Sequence, residues 1–307
     1  DPRKFGWLGS TNNEVSTCVT MGTTGIESFK DLQTRGATLG GTGKGADTDT
    51  FPTVMNNLLN TRLKLVTGYP GGNDINFAME KGELDGRCGW SWSSVKSTRA
   101  SWLKSGKINI ILQMSTAKHA ELPNVPLIID LAKSEQDKQI MKLIFARQAW
   151  GRPFNTTPNV PKARLAALQA AFDATMKDPK YIADMKRQKL ELNPISGRQI
   201  QGMIEDLYKS PKDLVARAAE AASDDAALNV SKASIPVLTH QGKITKLKRK
   251  GRRVSWKGAN AKGKLKVRGK TKITIAGKKV KRSALKVGMN CTFKVRGVES
   301  ALAIACN

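Results

Sequence analysis

Apolar positions in the first half of the chain follow two alternating periods. Short apolar runs at 15–20, 37–40, 63–66 and 108–113 read as strands, and 28–32, 48–59 and 73–81 carry apolar residues at helical spacing between them. That alternation predicts an α/β fold around a largely parallel sheet. From 135 to 222 the pattern is mostly helical: Leu165, Leu168, Phe172 and Met176 form one stripe, and Pro179, Pro194 and Pro211 punctuate the later helices. The small-residue, polar stretch ASDDAALNVSKASIPVLT at 222–239 then reads as a linker, with domain bounds at 223–240. Beyond it GKITKL, RVSWKG, KLKVRG, TKITIAG and CTFKVRG are short alternating segments parted by glycine turns. They predict a small all-β barrel of five or six strands, OB-like, over 241–307.

Charge separates the same two regions. The net charge is +27, of which +21 falls in 231–307, where Glu299 is the single acid. A barrel so charged is expected to contact polyanions, either nucleic acid or cell-envelope polymers and headgroups; the other reading is a solvated accessory barrel. Trp256 and Phe293 are the only aromatic side chains after Tyr208, which leaves little for stacking on bases. No apolar run approaches the ~18 residues of a membrane span, and DPRKFGWLGS lacks a charged-then-apolar leader pattern.

Four cysteines, Cys18, Cys88, Cys291 and Cys306, include no CxxC pair, and only His119 and His240 can join them, so neither a zinc site nor another cofactor is expected. Cys291 and Cys306 lie equally far from Val298/Glu299 on two apparent strands. That places them opposite on a hairpin, as a disulfide or as two buried thiols. Without a nucleophile elbow or a metal cluster, catalysis is not expected.

Two glycine-rich turns run into helix starts: LGGTGKGADTDTFP at 39–52 and GYPGGND at 68–74. Exposed N–H groups and the positive end of a helix dipole favour an anion there, with Asp47 or Thr48 capping the first helix and Asn73 or Asp74 the second. A nucleotide P-loop is excluded, because Thr38 stands at its first glycine and Gly45 where Ser or Thr is required. A dinucleotide fingerprint fails at Ala46. Two readings stand: sites for a carboxylate or other small anion, or tight turns without a ligand.

In order along the chain, DPRKFGWLGS, GGTGKGADTDTFP, GYPGGNDINFAMEKGELDG, LPNVPLIIDLA and WGRPFNTTPNVPKARLAALQAAF resemble the motifs of the extracytoplasmic solute receptors of tripartite tricarboxylate transporters, over about 1–222. The resemblance implies a periplasmic-binding-protein-like, two-lobed clamshell. It would be a periplasmic monomer that closes on a small organic carboxylate, a di- or tricarboxylate or an aromatic acid, and delivers it to the membrane subunits of a secondary transporter. Residues 15–149 would form one lobe, and 1–14 with 150–222 a remnant of the other. The family's opening segment has no counterpart here, so that lobe is expected to be incomplete, the product truncated, and helix faces such as 165–176 poorly covered. Carried over by position, ligand contacts fall at Thr42, Gly43, Lys44, Gly45, Ala46 and Asp47, then at Gly71, Gly72 and Asn73, with Ser91 and Trp92 facing the cleft. Lys44 pairs with the acid or is a solvated loop lysine. Trp90 and Trp92, two apart on an extended segment, stack on a ligand or pack in the core.

Overall fold

The computed structural model describes residues 1–188, 190–223 and 228–307. The chain opens with β1 (Gly6–Ser10), β2 (Ser16–Met21), α1 (Phe29–Thr34), β3 (Ala37–Gly40), α2 (Asp47–Leu59), β4 (Leu63–Thr67) and α3 (Gly72–Glu80). It continues through β5 (Gly86–Ser91), α4 (Trp92–Lys104), β6 (Ile108–Met114), α5 (Glu135–Phe145), β7 (Pro153–Thr156), α6 (Lys162–Lys177), α7 (Pro179–Arg187), β8 (Ile195–Ser196), α8 (Gly197–Tyr208) and α9 (Lys212–Ser223). The remainder is β: β9 (Asn229–Lys232), β10 (Val237–Lys248), β11 (Arg253–Lys257), β12 (Lys262–Ile275), β13 (Lys278–Lys279), β14 (Asn290–Arg296) and β15 (Ser300–Cys306). Local chemistry sets several boundaries. The Ser28 hydroxyl and the Asp31 carboxylate form a capping box that starts α1, and Asn60, at φ 55°, ends α2 in the left-handed conformation. Among the described residues no helix is long and apolar enough to cross a membrane.

Two compact units result. The first holds Asp1–Gly40, Lys44–Leu65 and Asp85–Val230; the second holds Gly41–Gly43, Val66–Leu84 and Ser231–Asn307.

The main sheet of the first unit runs β6-β2-β5-β3-β4-β9. β3 is parallel to β5, but β2 is antiparallel to both β5 and β6. The expected largely parallel sheet is therefore a mixed one. A helical crossover ties the direction of a strand only to the strand it pairs with next, and β2 pairs with strands far along the chain. Cys18, Leu39, Phe51, Met55, Leu112 and Phe145 are fully buried around this sheet. Phe51 and Phe145 meet edge to face with ring centroids 4.8 Å apart. A disulfide between Cys18 and Cys88 ties β2 to β5; the sequence reading left this pair unassigned.

A smaller sheet, β7-β1-β8, lies under α6 and α8. β1 has glycine where helices approach: a side chain at Gly9 would meet the Phe172 ring at 2.1 Å. Of the predicted stripe, only Met176 is buried, Leu165 and Phe172 are half-buried, and Leu168 is exposed. Of the stretch read as a linker, 224–227 lie outside the described residues, Asn229–Lys232 is β9, and Val237 already begins β10.

In the second unit β10, β11, β12, β15 and β14 pair in a closed circuit, a five-stranded barrel in which β12 and β15 alone run parallel. Strict alternation on β14 turns Cys291, Phe293 and Val295 inward, where they join Ile244, Val254, Trp256 and Ile304. Cys291 and Cys306 stand opposite in register and are bonded, which resolves the open choice between disulfide and thiols.

Candidate functional site

A polar recess of about 330 Å³ in the first unit collects residues that are remote in sequence: Glu14, Ser16, Asp47, Ser91, Arg147, Gln148 and Arg152 among them. Each is positioned by an element end. Glu14 precedes β2, Asp47 opens α2, Ser91 ends β5, and Arg147 to Arg152 follow α5. Two glycines permit the convergence. Gly89, at φ +69°, lets β5 approach the α2 N-terminus, since a Cβ there would lie 2.6 Å from the Asp47 carbonyl carbon. A Cβ on Gly151 would lie 2.3 Å from that of Glu14.

The electrostatics are paired but not closed. Glu14 is buried and accepts hydrogen bonds from Asn12 Nδ2 (3.2 Å), the backbone N–H groups of Val15 (3.2 Å) and Ser93 (3.3 Å), and the Ser93 hydroxyl. The Arg152 guanidinium lies 3.5 Å from Glu14 and donates to Ser91 Oγ at 3.2 Å, with about half of its side chain still exposed. Arg147 pairs with Asp47, whose other oxygen accepts from Gln148 Nε2 at 3.1 Å; Gln148 is held in turn by the Ser16 hydroxyl at 3.0 Å. Two guanidinium groups, the Ser91 hydroxyl and the α2 N-terminus thus face one volume, a donor-rich set suited to a carboxylate.

The residues predicted from sequence distribute unevenly. Asp47 and Ser91 line this recess. Lys44 and Gly45 are exposed in the loop before α2, and Ala46 occupies the cap position without a side-chain cap. Asp47 is the first residue of the helix rather than its cap, its carboxylate being drawn to Arg147. Thr42 and Gly43 belong to the second unit, beside the strand end at 66–69, where Gly41 bonds to Val66 and Tyr69. The cap position of α3 is Gly71, not Asn73 or Asp74. There the turn between β14 and β15 meets the helix: Asp74 accepts from the Val298 N–H at 2.6 Å, and Asn73 Nδ2 reaches Glu299 at 3.3 Å. Burial pushes the Asp74 carboxyl above its ordinary value, against the Val298 hydrogen bond.

Trp90 and Trp92 do not share a face of an extended segment, because Ser91 ends the strand and Trp92 begins a helix. Both are buried. Trp90 packs on Trp102, and Trp92 Nε1 donates to Glu121 at 2.7 Å. Lys96 bridges Glu121 (2.6 Å) and Glu191 (2.8 Å), and His119 reaches Glu191 at 3.0 Å. Partial burial raises the Glu121 carboxyl, but the hydrogen bonds from Lys96 and Trp92 outweigh it and hold it below the usual carboxylate range. A depressed carboxylate stabilises the fold above its unfolded pKa and loses that contribution as pH falls through its folded pKa. Urea denaturation of Glu121→Gln is therefore expected to show a deficit against the wild type at pH 7 that closes below about pH 4. A deficit independent of pH would mean that the pair contributes nothing through charge.

Glu14, Arg147, Gln148 and Arg152 were missed. Arg152 sits inside the quoted WGRPFN segment, so its place in that motif was the available signal.

No family model matches the chain, and no curated protein sequence does. Among solved structures, a TctC solute binding protein from Polaromonas, without ligand, superposes with a TM-score of 0.50 at 11% identity, over 70% of each chain. An R. palustris protein with adipate (TM-score 0.49, 14% identity, 72% of this chain and 70% of that one) and the periplasmic binding protein BugD (0.49, 16%, 76% and 72%) are also similar. The chain thus shares the fold of a TctC solute binding protein, the type of receptor that its ordered motifs resemble.

Proposed function

We propose that this protein is an extracytoplasmic receptor that binds a small organic carboxylate, a di- or tricarboxylate or an aromatic acid, and passes it to the membrane subunits of a tripartite tricarboxylate-type transporter. One observation carries the reading: Arg147, Arg152 and Ser91 converge with the start of α2 on one recess, in a chain with a solute-receptor fold. A ligand carboxylate can take one bond from the exposed edge of Arg152 and a second from Ser91, while Arg147 shares its charge between the ligand and Asp47. The loop from Lys44 to Ala46 adds backbone donors and the Lys44 charge. Asn73 Nδ2 meets Glu299 of the barrel turn. Binding alone is proposed, with no bond made or broken.

In this reading 15–149 form one lobe, and 1–14 with 150–222 belong to the other. The closed circuit of β10, β11, β12, β15 and β14 supports the OB-like assignment of the barrel. Two disulfides favour an oxidising compartment, here the periplasm. A thermal-shift titration against mono-, di- and tricarboxylates and aromatic acids tests the proposal. One class should raise the melting temperature saturably, equivalent to about 2.7 kcal/mol when ligand reaches ~100 Kd. No shift from any acid up to about 10 mM would overturn it.

A further inference from the structure

We propose that the outer face of β10, β11 and β12 is a binding surface for a linear anionic polysaccharide, recognised through charge. The inference goes beyond the receptor reading and does not depend on it. Register builds the face. Lys248 stands opposite Arg253 and Arg253 opposite Lys266; Lys246 stands opposite Ser255 and Ser255 opposite Lys264; Lys243 stands opposite Lys257 and Lys257 opposite Lys262. The residues between them, Ile244, Val254, Trp256 and Leu265, are buried in the barrel, so these polar positions share its outside. The result is a three-by-three array with cations at every position but Ser255. Its pitch is about 4.8 Å across strands and ~6.7 Å along β11 and β12, while on β10 a register shift sets Lys243 and Lys246 one residue further apart.

Like charges placed directly opposite each other destabilise a sheet, and four such pairs occur here: Lys248 with Arg253, Arg253 with Lys266, Lys243 with Lys257, and Lys257 with Lys262. Glu299 relieves one corner, 2.6 Å from Lys266 and 3.9 Å from Arg253. Lys243, Lys246, Lys248, Lys257, Lys262 and Lys264 are exposed and make no ion pair among the described residues. A bound polyanion removes the repulsion and releases the counterions that otherwise screen it. At one end Lys243 and Lys257 also line a recess of about 530 Å³ with Gln241, Asn290 and Thr292.

The chemistry of the partner follows from what the face lacks. Single-stranded nucleic acid is held by aromatic platforms as well as charge; Trp256 and Phe293 are turned inward and buried, and the half-buried His240 ring is stacked on Trp256. A saccharide chain carrying sulfate, phosphate or carboxylate groups needs only the cation array.

Fluorescence anisotropy of the full chain with labelled heparin, beside labelled oligo-dT of equal charge, tests the proposal between about 50 and 300 mM NaCl. The triple variant Lys246→Gln/Lys257→Gln/Lys264→Gln should lose heparin affinity by ~10-fold or more and flatten the salt slope by about two. Lys278→Gln/Lys279→Gln/Lys286→Gln, which removes the same charge elsewhere on the barrel, should lose no more than about 3-fold. Circular dichroism checks that both variants fold. Equal losses in the two variants, tighter binding of oligo-dT than of heparin, or no heparin binding at the lowest salt would each overturn it.

Discussion

Arg152→Ala is expected to weaken carboxylate binding by about 10- to 150-fold, the ~1.5–3 kcal/mol of a hydrogen bond to a charged group. The side chain lines the recess between Ser91 and the buried Glu14 with about half of it exposed, so it keeps donor groups accessible to a ligand. Arg152→Lys should recover only part of the loss, because an ammonium supplies a point charge without the planar fork. Isothermal titration with whichever acid shifts the wild-type melting temperature measures both variants. Unchanged affinity in Arg152→Ala would remove this recess from the binding site and leave the glycine loop as the remaining candidate.

The second large effect is expected in the barrel. Phe293 is fully buried and stacks on Trp256 with ring centroids 5.4 Å apart, at the centre of the barrel's core. Truncation to alanine removes a whole ring from a closed core and should cost about 3–5 kcal/mol. For a barrel of this size that lowers the melting temperature by roughly 15–30 °C. Near-ultraviolet circular dichroism of the oxidised protein follows the loss through Trp256. A fall of less than about 5 °C would mean that the barrel core repacks around the gap. The substitution leaves every lysine of the outer face in place, so loss of heparin binding in this variant would follow from unfolding alone.

Some of this architecture was legible along the chain because it depends on local periods. The two-residue alternation of a strand places Cys291 and Cys306 opposite each other once the turn at Val298 is recognised, and the structure joins them. The extent of α2 was legible for the same reason: the helical spacing over 48–59 falls one residue short of its start at Asp47 and matches its end at Leu59. The Cys18–Cys88 bond was not, since it depends on β2 lying beside β5 and no period in either strand states its neighbour. Trp92 was misplaced because one residue, Ser91, changes the period from two to 3.6 without a proline or glycine to mark the change.

Sequence by itself determined elements such as β2, β3, α2 and β6, the segregation of a +21 tail from the rest of the chain, and the opposition of Cys291 and Cys306 on the barrel hairpin. Side-chain periodicity and charge are properties of consecutive residues, and they survive any arrangement of the elements. Only the tertiary structure decided that Glu14, Asp47, Ser91, Arg147 and Arg152 share one recess, and that the turn at Val298 meets Asp74 at the start of α3. Periodicity tells which face of an element is covered, but what covers it is set by packing between segments more than a hundred residues apart. At such separations the choice of partner rests on the shape and charge of the assembled surface.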